Sequence, residues 1–303
     1  MFKRITILLL LAFFAFSGAI QAQEDRKKEK VTDEEENFWD RWGKSKMFDW
    51  RLRGNPFIEL NYGLSKVSHN SFDTKFNDLG LAEVKMGYRN MSEGIEDYLL
   101  DLNEKYIYGS IIKKDFTSTE GSLSRFNAEF LRFGFGTTES RGYCFGAFGI
   151  LPYYSNGFGW TSMKKAEYAG VRTTQFTPDD EYLAWVGDNF RFSSFVEGGI
   201  KLELASTVSL NAGYEASVIF PRHLFWYWAG SAVIESAGMQ VLEEFVHKVS
   251  HSSPVAGPIV NFILKNAYSY GYYLLKKKNM NWPFETDAPM TFETFKIGVT
   301  FTF

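Results

Sequence analysis

The last thirteen residues, Thr291-Phe-Glu-Thr-Phe-Lys-Ile-Gly-Val-Thr-Phe-Thr-Phe303, decide the fold. Phe295, Ile297, Val299, Phe301 and Phe303 take every second position, and Lys296, Gly298, Thr300 and Thr302 fill the gaps. Successive side chains of an extended chain point to opposite faces, so this rhythm makes a strand with one apolar and one polar face. The same rhythm runs back through the chain. Ile58, Leu60, Tyr62 and Leu64 oppose Glu59, Asn61, Gly63 and Ser65. Ala82, Val84, Met86 and Tyr88 oppose Glu83, Lys85, Gly87 and Arg89. Leu131, Phe133 and Phe135 oppose Arg132, Gly134 and Gly136, and Val196, Ile200, Leu202 and Leu204 oppose Glu197, Lys201 and Glu203. The run from Val208 to Phe220 sets Leu210, Ala212, Tyr214, Ala216 and Val218 against Ser209, Asn211, Gly213, Glu215 and Ser217.

Strand length and the chemistry of the polar face separate two architectures. Strands of soluble sandwiches average about five or six residues. Several segments here reach ten or more, near the roughly 9–11 residues of a tilted strand that crosses a bilayer. The polar face carries glycine and charges of both signs, which suits the interior of a narrow barrel. A soluble ligand-carrying barrel needs the reverse, apolar inside. Composition agrees. Hydrophobic residues make up 45% of the 303 and aromatic residues 18%, too many for a disordered chain. The formal charge of −3 leaves no electrostatic footprint for nucleic acid. The single Cys144 rules out an internal disulfide framework and a Cys-rich zinc site. A mean hydropathy of −0.22 argues against a bundle of membrane-crossing helices but not against a barrel, whose strands alternate.

Residues 1–22 read as a cleaved signal peptide. Lys3 and Arg4 precede an apolar run from Ile5 to Phe16, and the small residues Ser17, Gly18, Ala19 and Ala22 follow. Cleavage after Ala22 would take the formal charge from −3 to −5. Residues 23–55 form a charged periplasmic or interfacial segment in which Trp39, Trp42 and Trp50 sit among Asp, Arg and Lys. Together with the alternating ending on an aromatic residue, this beginning resembles bacterial outer-membrane β-barrel proteins of the small, roughly eight-stranded class. The resemblance is to a class and says nothing of activity. It implies an outer-membrane location and outer-membrane lipid around the wall. It also implies that Phe295, Ile297, Val299, Phe301 and Phe303 are the assembly signal read by the barrel assembly machinery.

Candidate strands are 56–66, 80–90, 104–114, 122–136, 142–152, 190–204, 207–220 and 291–303, an antiparallel transmembrane β-barrel of eight within 56–303. The alternative is ten, with a further pair in 158–189. Eight puts both ends on the periplasmic side, short links at 137–141 and 205–206 below, and long links at 67–79, 153–189 and 221–290 outside. The link 91–103 is long for a periplasmic turn. A helical insertion spans 224–280. Ile234, Ala237, Gly238, Val241, Leu242, Phe245 and Val249 recur at helical spacing, a break follows at His251-Ser-Ser-Pro254, and a second helical stretch runs from about Pro258 to Lys278. These helices must bury their apolar faces by capping the barrel mouth, lying on the outer leaflet or docking a protein partner. Lys276, Lys277 and Lys278 are candidates for lipid phosphate.

An eight-stranded barrel has an interior just wide enough to be filled by side chains. The inward charges are Glu59, Glu83, Glu197, Glu203 and Glu215 with Lys85, Arg89, Arg132, Lys201 and Lys296. Equal numbers predict ion pairs across the lumen rather than a charge-selective pore. No catalytic constellation emerges. His247 and His251 have a metal-compatible i, i+4 spacing without a third ligand, and His69 and His223 have no local serine motif. The expectation is a non-enzymatic barrel of structural or surface-interaction type with no cofactor, whose insertion contacts lipid or a partner. A small or gated porin-like channel and a lipid-modifying enzyme are the alternatives.

Overall fold

The computed structural model describes residues 54–303, apart from 71–75, 77, 95, 117–125, 147, 169–186 and 188. The segment 1–22 and all but the end of 23–55 lie outside the described residues. Eight strands follow in order: β1 Asn55–His69, β2 Leu79–Glu93, β3 Leu99–Lys113, β4 Phe126–Phe145, β5 Phe148–Tyr168, β6 Phe190–Ala205, β7 Val208–Ile219 and β8 Met290–Thr302. Each pairs antiparallel with its neighbours, and β8 pairs with β1 to close the barrel. The count and the closure are those predicted by the alternation.

Most strand ends shift from the sequence reading, and three of the shifts change the links. The turn expected at 137–141 lies beyond Phe145, where Gly146 adopts φ 69°, a conformation costly for other residues. β4 therefore continues through 137–145. Its outward residues there are Thr137, Glu139 and Arg141 and its inward ones Thr138, Ser140 and Gly142, so neither face is apolar and the alternation disappears while the strand goes on. β5 likewise runs on to Tyr168, which removes the ten-strand alternative. β3 starts at Leu99, so the link from β2 is 94–98 rather than 91–103.

Register fixes the geometry. Ile58 pairs with Met86, and the ladder continues through Ile107, Phe135, Phe158, Ser194, Val218 and Thr291 to Ser68. One circuit thus returns to β1 ten residues farther along. That stagger on eight strands sets a tilt of roughly 40°, usual for closed barrels. Leu60, Tyr62, Leu64, Val84, Met86, Ile107 and Ile111 stand exposed on the outer face of β1–β3, and Phe295, Ile297 and Phe301 on β8. The interior is layered. Toward the end of the barrel where β1 finishes, Leu79, Leu81, Ile112, Phe130, Met163 and Phe292 form an apolar plug with Phe76 from the β1–β2 connection. Phe130 and Phe292 meet edge to face at 4.8 Å. Below the plug lie the charged side chains, interleaved with Tyr106, Tyr108 and Phe195. Leu102 and Leu151 are buried nearer the opposite end.

After β7 come helices α1, Phe225–Ser252, and α2, Gly257–Lys276. The chain breaks at Ser253, whose N–H donates to the Val249 carbonyl, and Pro258 opens α2 at a position where its missing N–H costs nothing. The two helices do not cap the mouth. They form a hairpin that lies along the outer face of the wall. Val255, in the turn, accepts a hydrogen bond from Tyr143 near the β4–β5 turn. The carbonyl of Lys277, just past α2, accepts from Asn70 beyond the far end of β1. Between these points α2 packs across β4, β5, β6 and β7. No helix among the described residues is long and apolar enough to cross a membrane by itself.

Candidate functional site

Alternation places Glu59, Glu83, Lys85, Arg89, Arg132, Glu197, Lys201, Glu203, Glu215 and Lys296 on inward positions, and the closed wall brings them together. With Glu104 they form one connected set in which no residue is more than 4% exposed. Lys296 Nζ lies 2.6 Å from Glu197, 2.8 Å from Glu215 and 3.0 Å from Glu83. Arg132 donates to Glu215 at 2.6 Å. Lys85 joins Glu197 at 3.4 Å to Glu59 at 3.1 Å. Lys201 reaches Glu104 at 2.6 Å and Glu59 at 3.4 Å, and Arg89 bonds Glu203. Hydroxyls and amides complete the shell: Tyr153 donates to Glu197, Thr300 to Glu59 and Asn61 to both Glu59 and Glu83. Most of these pairs cross the lumen between strands that are not neighbours, such as β3 with β6 and β4 with β7. They tie opposite walls together.

Glu104 was not among the expected lumen charges. Its strand gives no face away. Inward positions hold Glu104, Tyr106, Tyr108 and Ser110, and outward ones Lys105, Ile107, Gly109 and Ile111, so both faces mix polar and apolar groups. Only the ladder with Arg89 on β2, whose side chain points inward, could have marked it.

What can this arrangement do? Burying a charge costs several kcal/mol, offset here by multiple short ionic contacts in a low-dielectric interior. Every carboxylate in the set has a cationic partner, so none is presented to a substrate for acid–base work. With the apolar plug at one end and Leu102 and Leu151 toward the other, the lumen is a packed ionic core.

A second polar cluster lies outside the wall, under the hairpin. Lys265 of α2 is buried, and its Nζ lies 2.7 Å from Glu139 on the outer face of β4 and 2.8 Å from Glu243 on α1. One ammonium therefore joins both helices to the barrel. Asn266 donates to the Tyr153 carbonyl and sits directly over Gly198, where any Cβ would collide with its amide. Tyr154 points outward yet is buried beneath α2. Tyr272 donates to the Ser231 carbonyl at 2.8 Å and Tyr268 to the Glu235 carbonyl at 3.0 Å, stitching α2 to α1. Toward the other end, Ala216, Val218, Phe220, Tyr273 and Met280 make an apolar cluster between wall and hairpin.

The remaining expected site residues fall as follows. Lys276 pairs with Glu235, and Lys277 with Glu293 at 3.0 Å, so two of the three candidate phosphate ligands hold the hairpin to itself and to β8. Lys278 is exposed. Phe295, Ile297, Phe301 and Phe303 are exposed on the outer side, with Val299 partly so. His247 and His251 stand on the exposed face of α1 with Nε2 atoms 3.1 Å apart. No group of three metal-ligating side chains occurs among the described residues. His223 packs among Phe192, Phe225 and Trp228, and His69 Nε2 lies 3.0 Å from the Ala288 carbonyl.

No family model matches the chain, and no curated protein does. Among solved structures, the fold is similar to Neisserial surface protein A (NspA), at 9% identity and a TM-score of 0.38 over 82% of this chain and 97% of that one. It is also similar to Ail, the attachment invasion locus protein of Yersinia pestis, at 9% identity and a TM-score of 0.30 over 83% and 100%. Both likenesses are distant.

Proposed function

We propose that this chain is a bacterial outer-membrane β-barrel of structural or surface-interaction type, which works through its outer surface and not through its lumen. The observation that carries the reading is the sealed interior. The eleven charges of the connected set are buried and cross-paired beneath an apolar plug. An aqueous channel needs charged walls that water can reach. A hydrolase needs a nucleophile and a base within reach of a lipid ester, and His69, His223 and the His247–His251 pair each have the other partners given above. The exposed apolar residues on β1, β2, β3 and β8 supply the band that lipid requires. The alternating last strand supports delivery to the outer membrane.

Membrane fractionation of cells making the full chain, joined to gel migration before and after heating, tests this. The expected result is protein in the outer-membrane fraction that migrates faster unheated than boiled. Recovery from the inner membrane, or one migration at both temperatures, contradicts it.

A further inference from the structure

We infer that the outward face of the α1–α2 hairpin lies in bilayer hydrocarbon, so that the hairpin is a lipid-facing part of the wall. This rests on the reading that the barrel spans a bilayer.

Three observations carry it. The first is extent. The hairpin runs from Tyr143 near the β4–β5 turn to Asn70 and Glu293 toward the other end of the barrel. At 1.5 Å per residue, α2 spans about 30 Å, the thickness of a hydrocarbon core.

The second is inverted polarity. A helix on the surface of a soluble protein turns its apolar stripe inward and its charges out. Here Asn261, Lys265 and Ser269 of α2 are buried, while Ile259, Ile263 and Tyr270 are exposed. On α1, Ser231 and Ser250 are buried together with Val246, while Val233, Ile234 and Val241 are exposed, and the exposed Glu243 and Glu244 lie nearer the turn. The exposed apolar stretch of α1 also has ends. Trp226 and Tyr227 stand at one, as aromatic residues do at a membrane interface, and His247, Lys248 and His251 at the other, next to the turn.

The third is continuity of the apolar band. Bare outer wall on β1, β2 and β8 shows Leu, Tyr, Ile, Val, Met and Phe at mid-height, and β3 shows Ile107 and Ile111. The wall under and beside α2 adds Glu139, Gly198 and Glu293 to apolar groups such as Ala216 and Val218. Lipid against that stretch would meet unsolvated carboxylates. The hairpin covers them, answers Glu139 with Lys265 and Glu293 with Lys277, and presents aliphatic groups in their place. A watery environment for the hairpin would leave both its outer face and the interrupted band unexplained.

Nitroxide accessibility in vesicles tests the inference. Single cysteines replace Ile234, Ile263, Leu60 and His251 in full-length protein carrying Cys144→Ser. Each is spin-labelled in phosphatidylcholine vesicles and relaxed with oxygen, which favours lipid, or with a nickel chelate, which stays in water. The expected result is that Ile234→Cys and Ile263→Cys match Leu60→Cys on the bare wall, with oxygen dominant several-fold, while His251→Cys shows the reverse. Nickel dominance at 234 and 263 with oxygen dominance at 60 overturns the hairpin inference alone. Exclusion of both probes at 263 also overturns it and points to a second copy on that face. Nickel dominance at Leu60 as well overturns it together with the spanning reading.

Discussion

Lys296 stands at the centre of the lumen, between Glu83, Glu197 and Glu215. Its removal leaves three buried carboxylates facing one another across the narrow bore. Lys296→Met should destabilise the barrel by about 3–5 kcal/mol, the usual cost of stripping one partner from a buried ionic set. Urea titration of the protein in vesicles, followed by tryptophan fluorescence, measures this; a midpoint unchanged from wild type would mean the pairs contribute nothing net. Lys265 makes a parallel case outside the wall. Lys265→Met takes the shared ammonium from Glu139 and Glu243 and should loosen the hairpin, seen as protease cutting within 225–276 while the strands stay intact. Adding Glu139→Gln and Glu243→Gln to the same chain should restore protection, because an ionic cluster built on a buried ammonium and replaced as a whole by neutral groups is often neutral or stabilising. Failure of the triple variant to recover would show that the charges themselves hold the hairpin down.

At the scale of elements, legibility followed the solvent on each face. β1, β2, β6, β7 and β8 were readable because one face is apolar and the other polar. The lower part of β4 was not, because Glu139 and Arg141 point outward there: Glu139 lies under α2, and Arg141 pairs with Asp101 at 2.8 Å. Polar residues on both faces erase the period-two signal without ending the strand. The helices were legible as helices but not in their placement. An apolar stripe is ordinarily read as the buried side, whereas Ile259 and Ile263 point away from the barrel. The position of α2 rests on single groups such as Asn266 over Gly198, which no periodicity displays. Because α2 covers carboxylates and the outer ring of Tyr154, a chain lacking residues 229–278 should still form strands. Its unfolding midpoint in urea should be lower, and it should aggregate more readily in vesicles. Circular dichroism and light scattering on the deletion variant check both expectations, and stability equal to wild type would mean the covered wall tolerates lipid.

The whole molecule inverts the ordinary arrangement twice. The buried ionic set lies inside the barrel and a row of exposed apolar groups outside, and α2 repeats that order with Asn261, Lys265 and Ser269 against the wall. The architecture as a class was legible, because six long alternating segments and an even count of candidate strands with short and long links in turn admit few closures. Alternation puts ten charges on inward positions, where the structure places them, while Glu104 and the apolar plug depend on which residues face one another across the bore. Sealing is the claim on which the reading of function turns, and single-channel recording tests it most directly. Refolded protein, shown by heat-sensitive migration to be intact, is added to a planar bilayer at neutral pH. A lumen closed by Phe130, Phe292 and the ionic set predicts no discrete openings, from the full chain or from the variant lacking 229–278, since the hairpin lies outside the bore. Steady unitary openings from either would contradict it and make the barrel a channel.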